Sequence, residues 1–336
     1  MLDPVAVIGN GGWGTAMALV LAEKGVDVRL WGIESDYVAK TARTRRSPKY
    51  LPGIAIPEAI LVTPDFGCAT EGAGLILSAT PTQFLRGTFA PLRALDRSGG
   101  APVLSLSKGI EVKTLLRPTQ ILREVLGRRK YGALVGPSHA EEVARGLPAA
   151  VVIGATDEEF AKACQETVST SSFRAYTTTD TVGVELSSAL KNVLAIAAGI
   201  VDGFELGDNA KAALLTRGMV EMARLGVALG ANRQTFSGLA GIGDIITTCV
   251  SPHGRNRAVG ERIGRGERVR DILDSMTMVA EGVPTTKAVV KLAKRHGIEM
   301  PIAEQIHRVL FHGKSPKNAV RDLMLRTPKS EVEEYR

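Results

Sequence analysis

Hydrophobic patterning divides the chain into two unlike halves. In the first, short apolar and β-branched runs recur at Val5–Ile8, Asp27–Leu30, Leu75–Ser78, Val103–Leu106 and Ala133–Val135, with Ala149–Ile153 and Phe173–Thr177 as two further candidates. Helical stretches separate them. Strands of this kind are buried on both faces, and their alternation with helices predicts a doubly wound, mostly parallel sheet. After Asp180 no strand-like run remains, and Val184–Val201, Asp208–Leu229 and glycine-punctuated stretches to about Arg326 carry a helical period. The expected architecture is α/β: a doubly wound sheet domain over residues 1–180, then an all-helical domain over residues 181–336.

The segment Val184–Val201, VELSSALKNVLAIAAGIV, is apolar or small almost all the way round, so it is expected to be buried. Lys191 and Asn192 are its only strongly polar residues after Glu185. A lysine on such a helix is either snorkelling to solvent or kept for an anion or for chemistry. Ala195 and Ala198 share its face, and this small-residue strip is expected to let a flat ligand lie close to the backbone.

The sequence Gly9-Asn10-Gly11-Gly12-Trp13-Gly14 follows the first strand directly and opens a helix from about Thr15 to Lys24. In a strand–turn–helix–strand unit, Gly9 permits the tight turn, Gly11 lets the backbone approach a pyrophosphate and Gly14 lets the helix pack on the sheet. The helix N-terminus supplies free N–H groups for the phosphates. This predicts dinucleotide binding. The second strand ends in Trp31-Gly32-Ile33 with no acid at the expected place, and Glu34 comes late. Arg43, Arg45 and Arg46 follow, either as partners for a 2′-phosphate or as a solvated face, so the expectation is NAD or NADP with a lean to NADP.

Ligands bind such sheets beyond the carboxyl ends of the strands, which singles out three loops. The first, Ala79–Phe84, offers Phe84 as a nicotinamide neighbour or as core. The second offers Lys108, a cation placed for a phosphate or carbonyl oxygen. In the third, Ser138 and Glu141 have capping-box spacing, which predicts a helix start and a second anion site; His139 beside them is not favoured as acid or base. The helical half adds Asp244 after two glycines, as an N-cap or site carboxylate. It also adds the turn Ser251–Gly254 with Arg255 and Asn256, suited to a phosphate and a neighbouring hydroxyl. Glu281, in a glycine/proline turn, suits a cofactor hydroxyl or amide or a helix cap.

Composition narrows the class. A net charge of +7 suits anionic ligands, whereas 4% aromatics and no basic stripe with interleaved aromatics argue against nucleic acid. No uninterrupted apolar run approaches the ~18 residues that span a bilayer, and MLDPVAVIG runs into a strand without a basic flank, so neither membrane insertion nor a targeting segment is expected. Three scattered cysteines give no disulfide framework and no metal site, which fits a reducing cytoplasm.

In order and spacing, the blocks GNGGWGTAMA, SLSKGIE, GPSHAEEVARGLP, ELSSALKNVLAIAAGI, LGDNAKAALLTRGMVEM, GIGDIITTC, GRNRAVG and VAEGV resemble the bacterial NAD(P)-dependent glycerol-3-phosphate dehydrogenases over nearly the full chain. The resemblance implies a Rossmann domain, a helical substrate domain and a homodimer. It also implies interconversion of dihydroxyacetone phosphate and sn-glycerol 3-phosphate for glycerophospholipid synthesis. By the same resemblance Lys191 is the acid/base, with Asp244 beside it. Lys108, Gly136, Ser138, Asp244, Arg255 and Asn256 contact substrate. Gly12, Trp13, Tyr50, Lys108, Ala140, Arg255, Val279 and Glu281 contact cofactor. Gly254 stands where the family often has serine, which removes a hydroxyl contact but leaves the backbone N–H.

Overall fold

The computed structural model describes residues 1–336 except Asp96, Pro252, His253, Lys329 and residues 332–336. Its strands are β1 (Val5–Ile8), β2 (Val28–Trp31), β3 (Arg46–Ser47), β4 (Leu51–Ala55), β5 (Ile60–Thr63), β6 (Leu75–Ser78), β7 (Val103–Ser105), β8 (Tyr131–Val135), β9 (Ala149–Ala155) and β10 (Phe173–Thr178). Eight form one sheet in the order β5-β2-β1-β6-β7-β8-β9-β10, parallel except between β8 and β9. Alternate residues along β1 and β6 go to opposite faces: Val5, Val7, Leu75 and Leu77 pack into one core, Ala6, Ile8 and Ile76 into another. That two-sided burial is why the strands read as continuous apolar runs. The short hairpin β3–β4 and the sheet strand β5, bounded by Pro57 and Pro64, were not among the expected strands.

Strand order reverses between β1 and β6, so their carboxyl ends open a crevice. There Gly9 has φ +122°, and a Cβ on it would stand 2.8 Å from the Ala79 carbonyl oxygen. Only glycine satisfies both conditions.

Among the described residues, everything after β10 is helical. The helix Thr181–Gly203 is buried from Gly183 to Val201, so although long and apolar enough to cross a membrane it is the core of the second domain. Asp180 caps it, accepting from Gly183 N at 2.8 Å. Glu185, 1% exposed, ties it to the sheet domain by accepting from Thr119 N (2.7 Å), Thr119 Oγ1 (2.8 Å) and the Arg117 guanidinium.

The small-residue strip has a different occupant from the one expected. Ala195 and Ala198 are 0% exposed and do not line the cleft described below, so protein core covers them, and the helix Arg255–Gly264 approaches the adjoining face at Ile196 and Gly199. A Cβ on Gly260 would fall 1.9 Å from the Ile196 carbonyl oxygen, and one on Gly199 2.0 Å from that of Arg257. Close backbone approach is used to seat a helix, not a flat ligand.

Candidate active site

A cleft of about 860 Å³ runs between the domains from the β1 and β2 ends to the core helix. Lys191 reaches its floor. The side chain is 5% exposed, and Nζ donates to Asp244 Oδ1 at 2.5 Å and to Thr248 Oγ1 at 2.5 Å. Asp244 begins the helix Asp244–Val250 after a π-turn over Leu239–Gly243, and its carboxylate turns to the cleft instead of capping. Its Oδ2 accepts from Lys108 Nζ at 2.9 Å. One buried carboxylate thus holds two ammonium groups, one from each domain.

The charges shape one another. Burial pulls the Lys191 pKa down, the Asp244 charge opposes it and Lys108 adds to it, leaving about 8 against 10.5 for an ordinary lysine. Burial would raise the Asp244 pKa, but Lys108 and then Lys191 outweigh it and hold the group below the usual carboxylate value. The site therefore carries a net positive charge at neutral pH, with a proton on Lys191 that is easily given up. Thr248, absent from the sequence reading, lies four residues after Asp244 on the same face and completes the lysine's shell.

The helical domain supplies much of the rest of the cleft's lining. Asn192 Nδ2 donates to the Lys108 carbonyl at 2.8 Å, fixing that loop. Arg255 heads its helix, donating through Nη1 to the Val279 carbonyl at 3.0 Å. Asn256 Oδ1 accepts from Gly282 N at 3.0 Å, which leaves its Nδ2 for a ligand. Gly254, Arg255, Asn256, Val279 and Glu281 all line the cleft. A Cβ on Gly254 would stand 2.6 Å from the Thr248 carbonyl oxygen, so this backbone has no room for the serine often found there. The neighbouring Pro252 and His253 of the expected turn lie outside the described residues.

Several expectations change at this point. Ser138 and Glu141 form no capping box: Ser138 Oγ donates to the Gly136 carbonyl at 2.9 Å, His139 is the N-cap, and the helix is one turn, Ala140–Val143. The helix start has no side-chain cap, and Ser138, His139, Ala140 and Glu141 all line the cleft. Gly136 does not line the cleft; its carbonyl accepts from Lys108 at 3.1 Å from behind. His139 lines the cleft with its pKa lowered by burial, and its Nε2 meets the Thr247 carbonyl at 3.4 Å. Glu281 caps neither its own helix nor open space; Oε1 accepts from Thr82 N at 2.7 Å, joining the domains. Phe84 is 55% exposed at the cleft and is not core.

The cofactor side fits a dinucleotide. Gly9, Gly11, Gly12 and Trp13 line the cleft, with Tyr50 and Ala140 opposite, and Gly14 sits behind them against the Gly9 carbonyl. Nothing lies within 4 Å of a Cβ on Gly11, so that backbone is open to a ligand. The helix Gly12–Glu23 starts there without a side-chain cap, and Trp13 Nε1 is a buried donor with no partner. Open N–H groups and an unused donor suit a pyrophosphate. Among the described residues no His, Cys, Asp and Glu cluster has metal-binding geometry. The arginine reading of the 2′-phosphate does not survive the fold. Arg43, Arg45 and Arg46 do not line the cleft, and Arg45 is spent on the Glu58 and Ile60 carbonyls at 2.7 and 3.2 Å. Glu34 lines the cleft instead.

The family model described as NAD-dependent glycerol-3-phosphate dehydrogenase N-terminus matches residues 4–161, and that for the C-terminus residues 180–321. The chain is 50% identical over 333 residues to glycerol-3-phosphate dehydrogenase [NAD(P)+] 1 of Salinibacter ruber, covering 98% of this chain and 97% of that one. It is 47% identical over 331 residues to glycerol-3-phosphate dehydrogenase [NAD(P)+] of Chlorobium limicola, covering 98% of this chain and 99% of that one. The crystal structure of glycerol-3-phosphate dehydrogenase from Coxiella burnetii superposes with a TM-score of 0.93 at 38% identity, covering 96% of this chain and 99% of that one. With both family models placed end to end and the relatives matched along their whole length, this chain belongs to the NAD-dependent glycerol-3-phosphate dehydrogenase family.

Proposed function

We propose that this NAD(P)-dependent glycerol-3-phosphate dehydrogenase reduces dihydroxyacetone phosphate to sn-glycerol 3-phosphate in the interdomain cleft, with Lys191 as general acid and, in reverse, as general base. The observation that carries the reading is the Lys191–Asp244–Lys108 network on the cleft floor. When bound, the nicotinamide supplies the hydride to the ketone carbon. Lys191 donates its proton to the oxygen left by reduction, and its Nζ retains two acceptors that keep it aimed. Asp244 orients both lysines. Lys108 keeps the local charge positive while the oxygen carries its developing charge. Arg255, with the Asn256 amide, holds the phosphate, and this remote anchor aligns the carbonyl.

The assignment extends to a homodimer in a reducing cytoplasm, supported by family membership and by three free cysteines of which two are buried; size-exclusion chromatography with light scattering tests the assembly. The substrate is tested by steady-state reduction of dihydroxyacetone phosphate and free dihydroxyacetone with NADH and NADPH in parallel. A site built around Arg255 reduces the phosphorylated ketone far faster. Equal rates would overturn the substrate assignment.

A further inference from the structure

Beyond the end of β2, Glu34 and Tyr50 line the cleft, and Lys49 joins them from just behind the lining. Glu34 accepts from Lys49 through Oε1 (2.7 Å) and Oε2 (2.9 Å), and from the Tyr50 hydroxyl through Oε1 (2.8 Å). Lys49 Nζ is held 4.8 Å from the Tyr50 ring centroid and 5.6 Å from that of Tyr37, and the two rings meet edge to face. A carboxylate offers about four lone-pair positions, so Glu34 keeps one for another donor. Across the β2 end, a Cβ on Gly32 would fall 2.3–2.5 Å from the carboxamide atoms of Asn10. Asn10 is 9% exposed, lines the cleft, and its Nδ2 has no partner. An acceptor with a spare lone pair, the cation bound to it and an unused donor packed on Gly32, two residues before that acceptor, thus lie at the β2 end, where a βαβ unit faces the adenosine ribose.

We propose that Glu34 and Lys49 together read the ribose 2′-position: Glu34 accepts the 2′-hydroxyl of NADH, Lys49 meets the 2′-phosphate of NADPH, and their pairing makes a dual-cofactor enzyme that favours NADH. The inference rests on the cofactor placement given above. The direction follows from electrostatics. NADH is accommodated with the ion pair intact, whereas NADPH draws Lys49 away from Glu34 and sets a phosphate dianion beside a carboxylate. Asn10 donates to the ribose in both cases and carries no discrimination.

The test is the ratio of kcat/KM with NADPH to kcat/KM with NADH in the wild type, Glu34→Gln and Lys49→Gln. Both residues are exposed, so neither change endangers the fold. Glu34→Gln should raise the ratio about tenfold and Lys49→Gln lower it about tenfold, the worth of one charge-assisted contact. Titration with 2′,5′-ADP and 5′-ADP reads the same preference without turnover: Lys49→Gln should weaken 2′,5′-ADP more than 5′-ADP. If both variants alter the two cofactors alike, the inference is wrong while the cofactor still lies at this end. If neither variant alters either cofactor, the placement itself is overturned.

Discussion

Replacing Lys191 by methionine isolates the proton transfer. Methionine fills nearly the same volume, and Asp244 keeps Lys108 as counter-ion, so no uncompensated carboxylate is left in a site that is 2% exposed. The fold should therefore escape the penalty of about 3–5 kcal/mol that follows when a buried pair loses its only partner. The chemistry should not escape. With a pKa of about 8 in place of 10.5, the Lys191 proton is about 3 kcal/mol easier to remove than one on an exposed lysine. General acid catalysis of this kind contributes about 10²–10⁴-fold, and that is the expected loss in kcat.

The pH dependence gives the sign. Reduction needs the ammonium, so its rate is full below pH 8 and falls as pH rises through the Lys191 pKa. Oxidation of glycerol 3-phosphate needs the free amine and rises over the same interval. The assay is initial rates in both directions from pH 6 to 10 for wild type and Lys191→Met, with cofactor affinity from fluorescence titration. The variant should bind cofactor nearly as the wild type does and lose the limb near pH 8. A kcat within tenfold of wild type, or the same limb surviving in the variant, would refute the role.

Asp244→Asn removes the charge that raises the Lys191 pKa and leaves two lysines facing each other, so the limb of the reduction profile should move below pH 8, read from the same pH series. Arg255→Ala should lower kcat/KM for dihydroxyacetone phosphate by about 10–100-fold, the worth of a charged hydrogen bond, and lower that for free dihydroxyacetone much less. Gly260→Ala forces a methyl to 1.9 Å from the Ile196 carbonyl oxygen. It should cost about 1–3 kcal/mol or more in thermal unfolding and raise KM for the phosphorylated ketone, because the helix that Gly260 seats also carries Arg255.

What could be read from the sequence was whatever depends on neighbours in the chain. The glycine turn, the sheet runs and the buried helix are local patterns, and each formed within a residue or three of its expected bounds. Ile60–Thr63 escaped because four residues between two prolines carry too little pattern to separate a strand from a loop. The Ser138–Glu141 spacing failed for a different reason: the helix starts one residue later, with His139 as its N-cap, and Ser138 Oγ donates to the Gly136 carbonyl. Periodicity correctly marked Ala195 and Ala198 as a flat face, but it holds no information on what lies against that face. Thr248 was within reach of the reading, since a hydroxyl one turn after a candidate carboxylate shares its face.

The charge network lay beyond any local pattern, because Lys108 and Asp244 are 136 residues apart and Lys191 and Asp244 are 53 apart. Taken singly, each residue pointed to a site, yet an ion pair as short as 2.5 Å should on its own raise the lysine pKa and spoil it as a base. The structure resolves the conflict by sharing the carboxylate. Asp244 spends Oδ2 on Lys108, and that second cation, together with burial, outweighs the attraction felt by Lys191. Burial is the larger cause, but Lys108 belongs to the sheet domain and Lys191 to the helical one, so part of the lowering comes from across the domain boundary. The acid is thus not a property of the helix that bears it alone.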